Sequence, residues 1–302
     1  MGEIRQFRVE RDKRQALTDD TCLWRYVPLK TLLVYLSGQV FIPSIETLRK
    51  QDPFEGEFYY DPICFGAAIN RWFGARGLQT VLGEYYGDAA KIPGNRRSAE
   101  LSTYLETLRA TRTAWCWFED SENAESAAMW NLYGRDGAAV VSTVGRIKAA
   151  LANCQSCFEF GRMWYLRIDD EESVIDQEEL YPEGHDFYSE LTLRPHFIKR
   201  AEYKGEKEVR FIGSISKPSS GTKLPLQPRQ WIENIRINPS FEETEVAAIM
   251  AAASRAEIRC SQSGMLRKTP PNIKEFIRAE LSPAVPAEMQ QLWSTNGTAT
   301  TP

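Results

Sequence analysis

Residues 137–144 read Gly-Ala-Ala-Val-Val-Ser-Thr-Val, an uncharged run with no Gly, Pro, Asn or Asp after its first residue. A strand with one wet face alternates apolar and polar side chains. A continuous apolar run instead marks a central strand buried on both faces. Further strand-like segments are expected at 22–27, 39–42, 113–118, 158–168, 194–199, 207–212, 231–237 and 256–261. Helical spacing marks 29–36, 99–110, 126–133, 146–151, 243–253 and part of 67–90. Pro28 is suited to opening the first helix, while Gly38 and Gly134 are suited to ending helices. The acidic stretch 169–179 and the Pro/Ser/Gly-rich stretch 218–229 read as loops. Strands and helices follow one another without a regular βαβ period or an internal repeat. The expected fold is therefore a single compact α+β domain, with a mixed or antiparallel central sheet flanked by helices. It is expected to span 21–285, with a polar leader at 1–20 and a flexible tail at 286–302.

Composition narrows the function. With 302 residues, of which 42% are hydrophobic and 26% charged, the chain can bury a core without a disulfide or metal staple. A net charge of -4 supplies no global positive field for nucleic acid or anionic membrane. No stretch approaches ~18 consecutive apolar residues, and the first residues lack the apolar core of an export signal. Several of the six cysteines sit inside apolar segments, as buried reduced thiols do. These features lead to the expectation of a cytoplasmic protein with no membrane partner. His185 and His196 are the only histidines, which excludes a histidine-rich catalytic centre. Cys154-Gln-Ser-Cys157 has no second close pair, so no metal site is expected there. P-loop, nucleophile-elbow and dinucleotide-binding glycine patterns are missing from the sequence.

The densest chemistry lies in Glu206-Lys207-Glu208-Val209-Arg210. On a strand, Glu206, Glu208 and Arg210 would share one face and Val209 and Phe211 the other, with same-face neighbours about 6.6–6.8 Å apart. Two carboxylates that close raise the proton affinity of at least one, and Arg210 opposes the shift. Such a set suits a general base or a site that stabilises a cation. The same pattern also suits an edge strand with a solvated charged face.

Four segments, in order, resemble the bacterial family called domain of unknown function 2971. They are Leu23-Trp24-Arg25-Tyr26 with the helix and strand that follow it; Asp52-Pro53-Phe54-Glu55; Met129-Trp130-Asn131-Leu132-Tyr133-Gly134; and Phe197-Ile198-Lys199 leading to Glu206-Lys207-Glu208-Val209-Arg210. Gln51 stands where the family has asparagine before Asp-Pro-Phe-Glu. The likeness runs from about Leu23 to about Arg267.

The order arginine, Ser-Thr, Glu-Xaa-Glu is also similar to the Arg–Ser–Glu class of ADP-ribosyltransferases. That likeness implies NAD as substrate. Arg25 would grip the pyrophosphate, Ser142 and Thr143 would support the nicotinamide pocket, Glu208 would stabilise the ribosyl cation, and Glu206 would position the acceptor. Trp130 and Tyr133 would supply an aromatic wall, Tyr26 would join the NAD-binding residues, Arg210 would join the catalytic glutamates, and Asp52, Glu55 and Lys199 complete the candidate set. The acceptor would be a macromolecule, protein or nucleic acid, and a toxin or antiphage role would suit such an enzyme. Glu208→Gln is expected to abolish activity with the melting temperature nearly unchanged. One alternative is a Mg²⁺-dependent nuclease built on Asp52, Glu55, Glu202, Lys204, Glu206 and Glu208. The other is a non-catalytic ligand-sensing or partner-binding module.

Overall fold

The computed structural model describes residues 3–7, 14–56, 103, 106–120, 125–154, 157–166 and 195–265. The expected helix in 67–90, the acidic stretch 169–179 and the tail 286–302 lie outside these residues. The chain forms two compact units, Met1–Gln262 and Ser263–Pro302.

The fold is α+β. The strands among the described residues are β1 (Ile4–Gln6), β2 (Cys22–Pro28), β3 (Gln39–Pro43), β4 (Arg112–Glu119), β5 (Gly137–Thr143), β6 (Phe158–Arg162), β7 (Trp164–Leu166), β8 (Ile198–Arg200), β9 (Glu208–Ser214), β10 (Gly221–Pro225), β11 (Asn234–Ile237) and β12 (Arg259–Gln262). The helices that matter here are α1 (Leu29–Leu36), α2 (Ile45–Leu48), α3 (Ala127–Tyr133), α4 (Val144–Leu151), α5 (Pro228–Trp231) and α6 (Glu243–Arg255). Eight strands make one mixed sheet in the order β1-β6-β9-β4-β2-β5-β11-β12. Only β1 on β6 and β11 on β12 pair in parallel; the inner strands are antiparallel. Among the described residues there are also two small sheets, β3 antiparallel with β10 and β7 parallel with β8.

The apolar run became β5, flanked by β2 and β11 and buried along almost its whole length. Its first residue must be glycine, since a Cβ on Gly137 would stand 1.9 Å from the Val27 carbonyl oxygen. Alternation on the neighbouring strands divides the core. Leu23, Val27, Trp115, Trp117, Val140, Val209 and Phe211 join the larger cluster. On the opposite face Trp24, Tyr26, Phe118 and Val141 pack with Met129 and Trp130 of α3. A third cluster on that face gathers Ile212 and Ala114 with Ile45, Phe197 and Ile198.

Several elements depart from expectation. Among its described residues the expected leader contributes β1 and the buried Phe7 and Leu17. The single strand expected at 158–168 is two strands in different sheets, broken at Met163, whose N–H donates to the Glu208 carbonyl at 2.9 Å. Residues 195–197 are a 3-10 turn before β8, and the loop expected at 218–229 holds β10 and α5.

Candidate functional site

The charged strand does not begin at Glu206. Residues Ala201–Glu206 form a 3-10 helix, Lys207 closes it in the left-handed region (φ 43°), and β9 starts at Glu208. Nor is β9 an edge strand: it lies between β6 and β4, and both Glu208 and Arg210 are buried. The solvated-edge reading therefore fails. Cross-strand pairing places Glu208 opposite Phe118 and Arg210 opposite Cys116, so the two charges occupy the gap between the two smaller apolar clusters.

Arg210 is the centre. Its side chain is 1% exposed, so its charge must be met within the protein. Its guanidinium forms a two-pronged pair with Glu55, donates to the His196 carbonyl at 2.9 Å, and reaches Glu208 Oε1 from Nε at 2.7 Å. Glu208 Oε2 also accepts from Lys199 Nζ at 3.1 Å. Lys199, delivered by β8, donates in turn to Glu206, and the other oxygen of Glu206 accepts from the Tyr133 hydroxyl at 2.7 Å. The Glu208 N–H donates to the Tyr165 hydroxyl at 2.7 Å. Tyr165 was not among the sequence candidates. Only the pairing of β7 with β8 brings it here, and no local pattern signals that pairing.

The electrostatics follow from this wiring. Burial works to raise the pKa of Glu208, but Arg210 and Lys199 override it and bring it down to about 2. The rise in proton affinity expected for at least one carboxylate of the pair is thus not found at Glu208, because Arg210 and Lys199 stand against it. Burial works to lower the pKa of Lys199, and Glu208 and Glu206 reverse that, holding the ammonium charged well above its ordinary value. A lysine so held is neither a base nor a nucleophile. Burial, then the bond to Glu206, raises the pKa of the Tyr133 phenol, so it stays a neutral donor.

The other candidates divide. Asp52 is buried beside the network; its Oδ1 accepts the Phe54 N–H at 3.1 Å and stands 3.5 Å from Arg200. Arg25 is half-buried and fills the gap where β2 and β4 stop pairing after Trp24. It donates to the Tyr35 hydroxyl at 3.0 Å and to the Cys116 carbonyl, and feels the Glu208 charge. Tyr26 and Trp130 are not pocket walls. They pack edge to face at 5.0 Å in the core, and the Tyr26 hydroxyl accepts the N–H of Ser126, the N-cap of α3. Together they anchor the helix whose last residue, Tyr133, reaches Glu206. Ser142 is buried with its hydroxyl on the Trp231 carbonyl, and the Thr143 hydroxyl caps α4 by accepting the Arg146 N–H at 3.3 Å. Neither joins the Glu208 cluster, because β2 and β4 separate their strand from β9.

Glu202 and Lys204 are exposed on the 3-10 helix, away from the buried carboxylates. Among the described residues no group of three His, Cys, Asp or Glu is arranged to hold a metal ion. The carboxylates of the network are instead separated by Lys199 and Arg210. No helix among the described residues is long and apolar enough to cross a membrane. No family model, no curated protein and no solved structure matches the chain.

Proposed function

We propose that the chain is an ADP-ribosyltransferase-like enzyme that breaks the nicotinamide–ribose bond of NAD and passes the ADP-ribosyl group to a macromolecular acceptor. Glu206, rather than Glu208, is the carboxylate we assign to the reacting ribose. The observation that carries this is a charge excess. Among the described residues Glu55, Glu206 and Glu208 are ion-paired to Lys199 and Arg210, so three carboxylates share two directly bonded cations, while Arg25 acts on Glu208 from farther away. Glu208 accepts three charged hydrogen bonds, whereas Glu206 accepts one from Lys199 and one from the neutral Tyr133. The surplus therefore rests on Glu206, next to a tyrosine that is 39% exposed.

Loss of nicotinamide takes the bonding electron pair with it and leaves positive charge on the ribose carbon. A carboxylate already fixed and desolvated stabilises that charge without reorganising. The acceptor then bonds to the same carbon through a lone pair and gives up its proton to solvent water. In this scheme Lys199 and Glu208 act as positioning residues for Glu206.

The test is NAD consumption by the purified protein without added divalent metal, followed in Glu206→Gln and Tyr133→Phe. Glu206→Gln is expected to lower the rate by about 10²–10³-fold, the usual loss for one preorganised electrostatic contact. Failure of the wild-type protein to consume NAD, or full activity in Glu206→Gln, would sink the assignment.

A further inference from the structure

The turn between Glu206 and Glu208 is held by a bond that the strand ladder does not provide. In an antiparallel ladder two directly bonded residues exchange both N–H···O bonds. Met163 and Glu208 exchange only one. The Met163 N–H donates to the Glu208 carbonyl at 2.9 Å, while the Met163 carbonyl accepts from Arg14 at 3.1 Å. The chain leaves β6 before Met163 and enters β7 after it. The Glu208 N–H donates instead to the Tyr165 hydroxyl, two residues further along, at 2.7 Å. Glu208 is buried, and a buried N–H needs an acceptor.

This bond completes a clamp on one peptide plane. The carbonyl between Lys207 and Glu208 accepts the Glu119 N–H of β4 at 2.9 Å, and the N–H of the same peptide is held by Tyr165 of β7. The plane follows directly on Lys207, whose φ of 43° lies in a region that lysine seldom occupies. Such backbone persists only where its surroundings over-determine it. Without the clamp, Lys207 is free to relax toward extended backbone, and that movement carries Glu206 away from Lys199 and Tyr133.

Tyr165 is well placed for the task. Its ring packs against the cluster of Ile45, Ala114, Phe197, Ile198 and Ile212. The parallel register of β7 and β8 sets it beside Lys199. One strand pair therefore delivers a cation to both carboxylates and a hydroxyl to the backbone between them. Burial raises the pKa of the phenol, so its oxygen remains a neutral acceptor. We infer that Tyr165 is a positioning residue for Glu206: its hydroxyl oxygen locks the Lys207–Glu208 peptide, and with it the left-handed turn that presents Glu206 to the reacting ribose. This rests on the assignment of Glu206 made above.

Tyr165→Phe keeps the ring and removes only the acceptor. In the NAD assay its kcat is expected to fall about tenfold, with KM within about twofold of the wild-type value. In a Glu206→Gln background the same change is expected to slow the reaction no further, because the residue that Tyr165 positions is already lost. An equal fall in both backgrounds would mark Tyr165 as a general contact of the fold and overturn the inference. A wild-type kcat in Tyr165→Phe would overturn it too. Should Tyr165→Phe be insoluble, amide exchange in the wild-type protein decides. The Glu208 N–H is expected to be protected like that of Val209, and exchange as fast as at an exposed amide would show that the hydroxyl does not hold it. A wild-type protein that leaves NAD intact removes the Glu206 assignment and this inference together. A wild-type protein that consumes NAD beside an equally active Tyr165→Phe removes the inference alone.

Discussion

At the residue scale, Arg210 decides what its neighbours are for. A fully buried guanidinium needs compensation on every side, and Glu55 and Glu208 supply it. Removing one partner of such a pair costs about 3–5 kcal/mol, because the other charge is left buried and unpaired. Glu208→Gln is therefore expected to lower stability by an amount of that order, as measured by urea unfolding, and not to leave the melting temperature unchanged as the sequence suggested. Glu206→Gln leaves Lys199 with Glu208 and is expected to cost only about 1–2 kcal/mol. The pH dependence follows from Glu208. Its folded pKa is depressed, so its contribution is complete above the ordinary carboxylate value near 4.5 and is lost as the pH falls toward about 2. The melting temperature of the wild-type protein should drop across that window. A flat profile there would mean that the carboxylate is not ion-paired.

At the element scale, α3 links the core to the site. Ser126 caps it, accepting the Met129 N–H at 3.4 Å, and Gly134 ends it directly after Tyr133. Ser126→Ala is expected to destabilise the protein by about 1 kcal/mol. If Tyr133 positions Glu206, it should also reduce turnover of NAD, although Ser126 touches neither. β5 and β2 offer a harsher test. Gly137→Ala drives a methyl into the Val27 carbonyl, so the expected outcome is a loss above about 2 kcal/mol, visible as early urea unfolding or insoluble protein. Ordinary melting of Gly137→Ala would show that β2 and β5 do not approach as closely as described.

At the scale of the whole sheet, β1 protects an edge. Its parallel pairing with β6 covers backbone groups that would otherwise face outward, and the Phe7 N–H donates to the Phe160 carbonyl at 2.7 Å. Deleting residues 1–7 is expected to leave a folded but association-prone protein, because an uncovered edge strand pairs with other chains. Light scattering and hydrogen exchange along β6 would report it. Unchanged exchange at Phe160 would deny β1 this role.

Local order was legible in the sequence. The 137–144 run specified β5, and helical spacing with Pro28, Gly38 and Gly134 marked α1 and α3, because apolar period and helix-boundary residues act over a few neighbouring residues. Part of the site was legible too: Glu206, Glu208, Arg210, Lys199, Glu55 and Tyr133 were all candidates, and the fold brings them together. Tertiary structure alone decided their wiring. The left-handed turn at Lys207 moves Glu206 off the strand, and the insertion of β8 hands both glutamates one lysine. The strand order keeps Ser142 and Thr143 away from Glu208. Charge pairing acts through space across distant stretches of chain, and strand order, which sets those distances, leaves no local trace in the sequence.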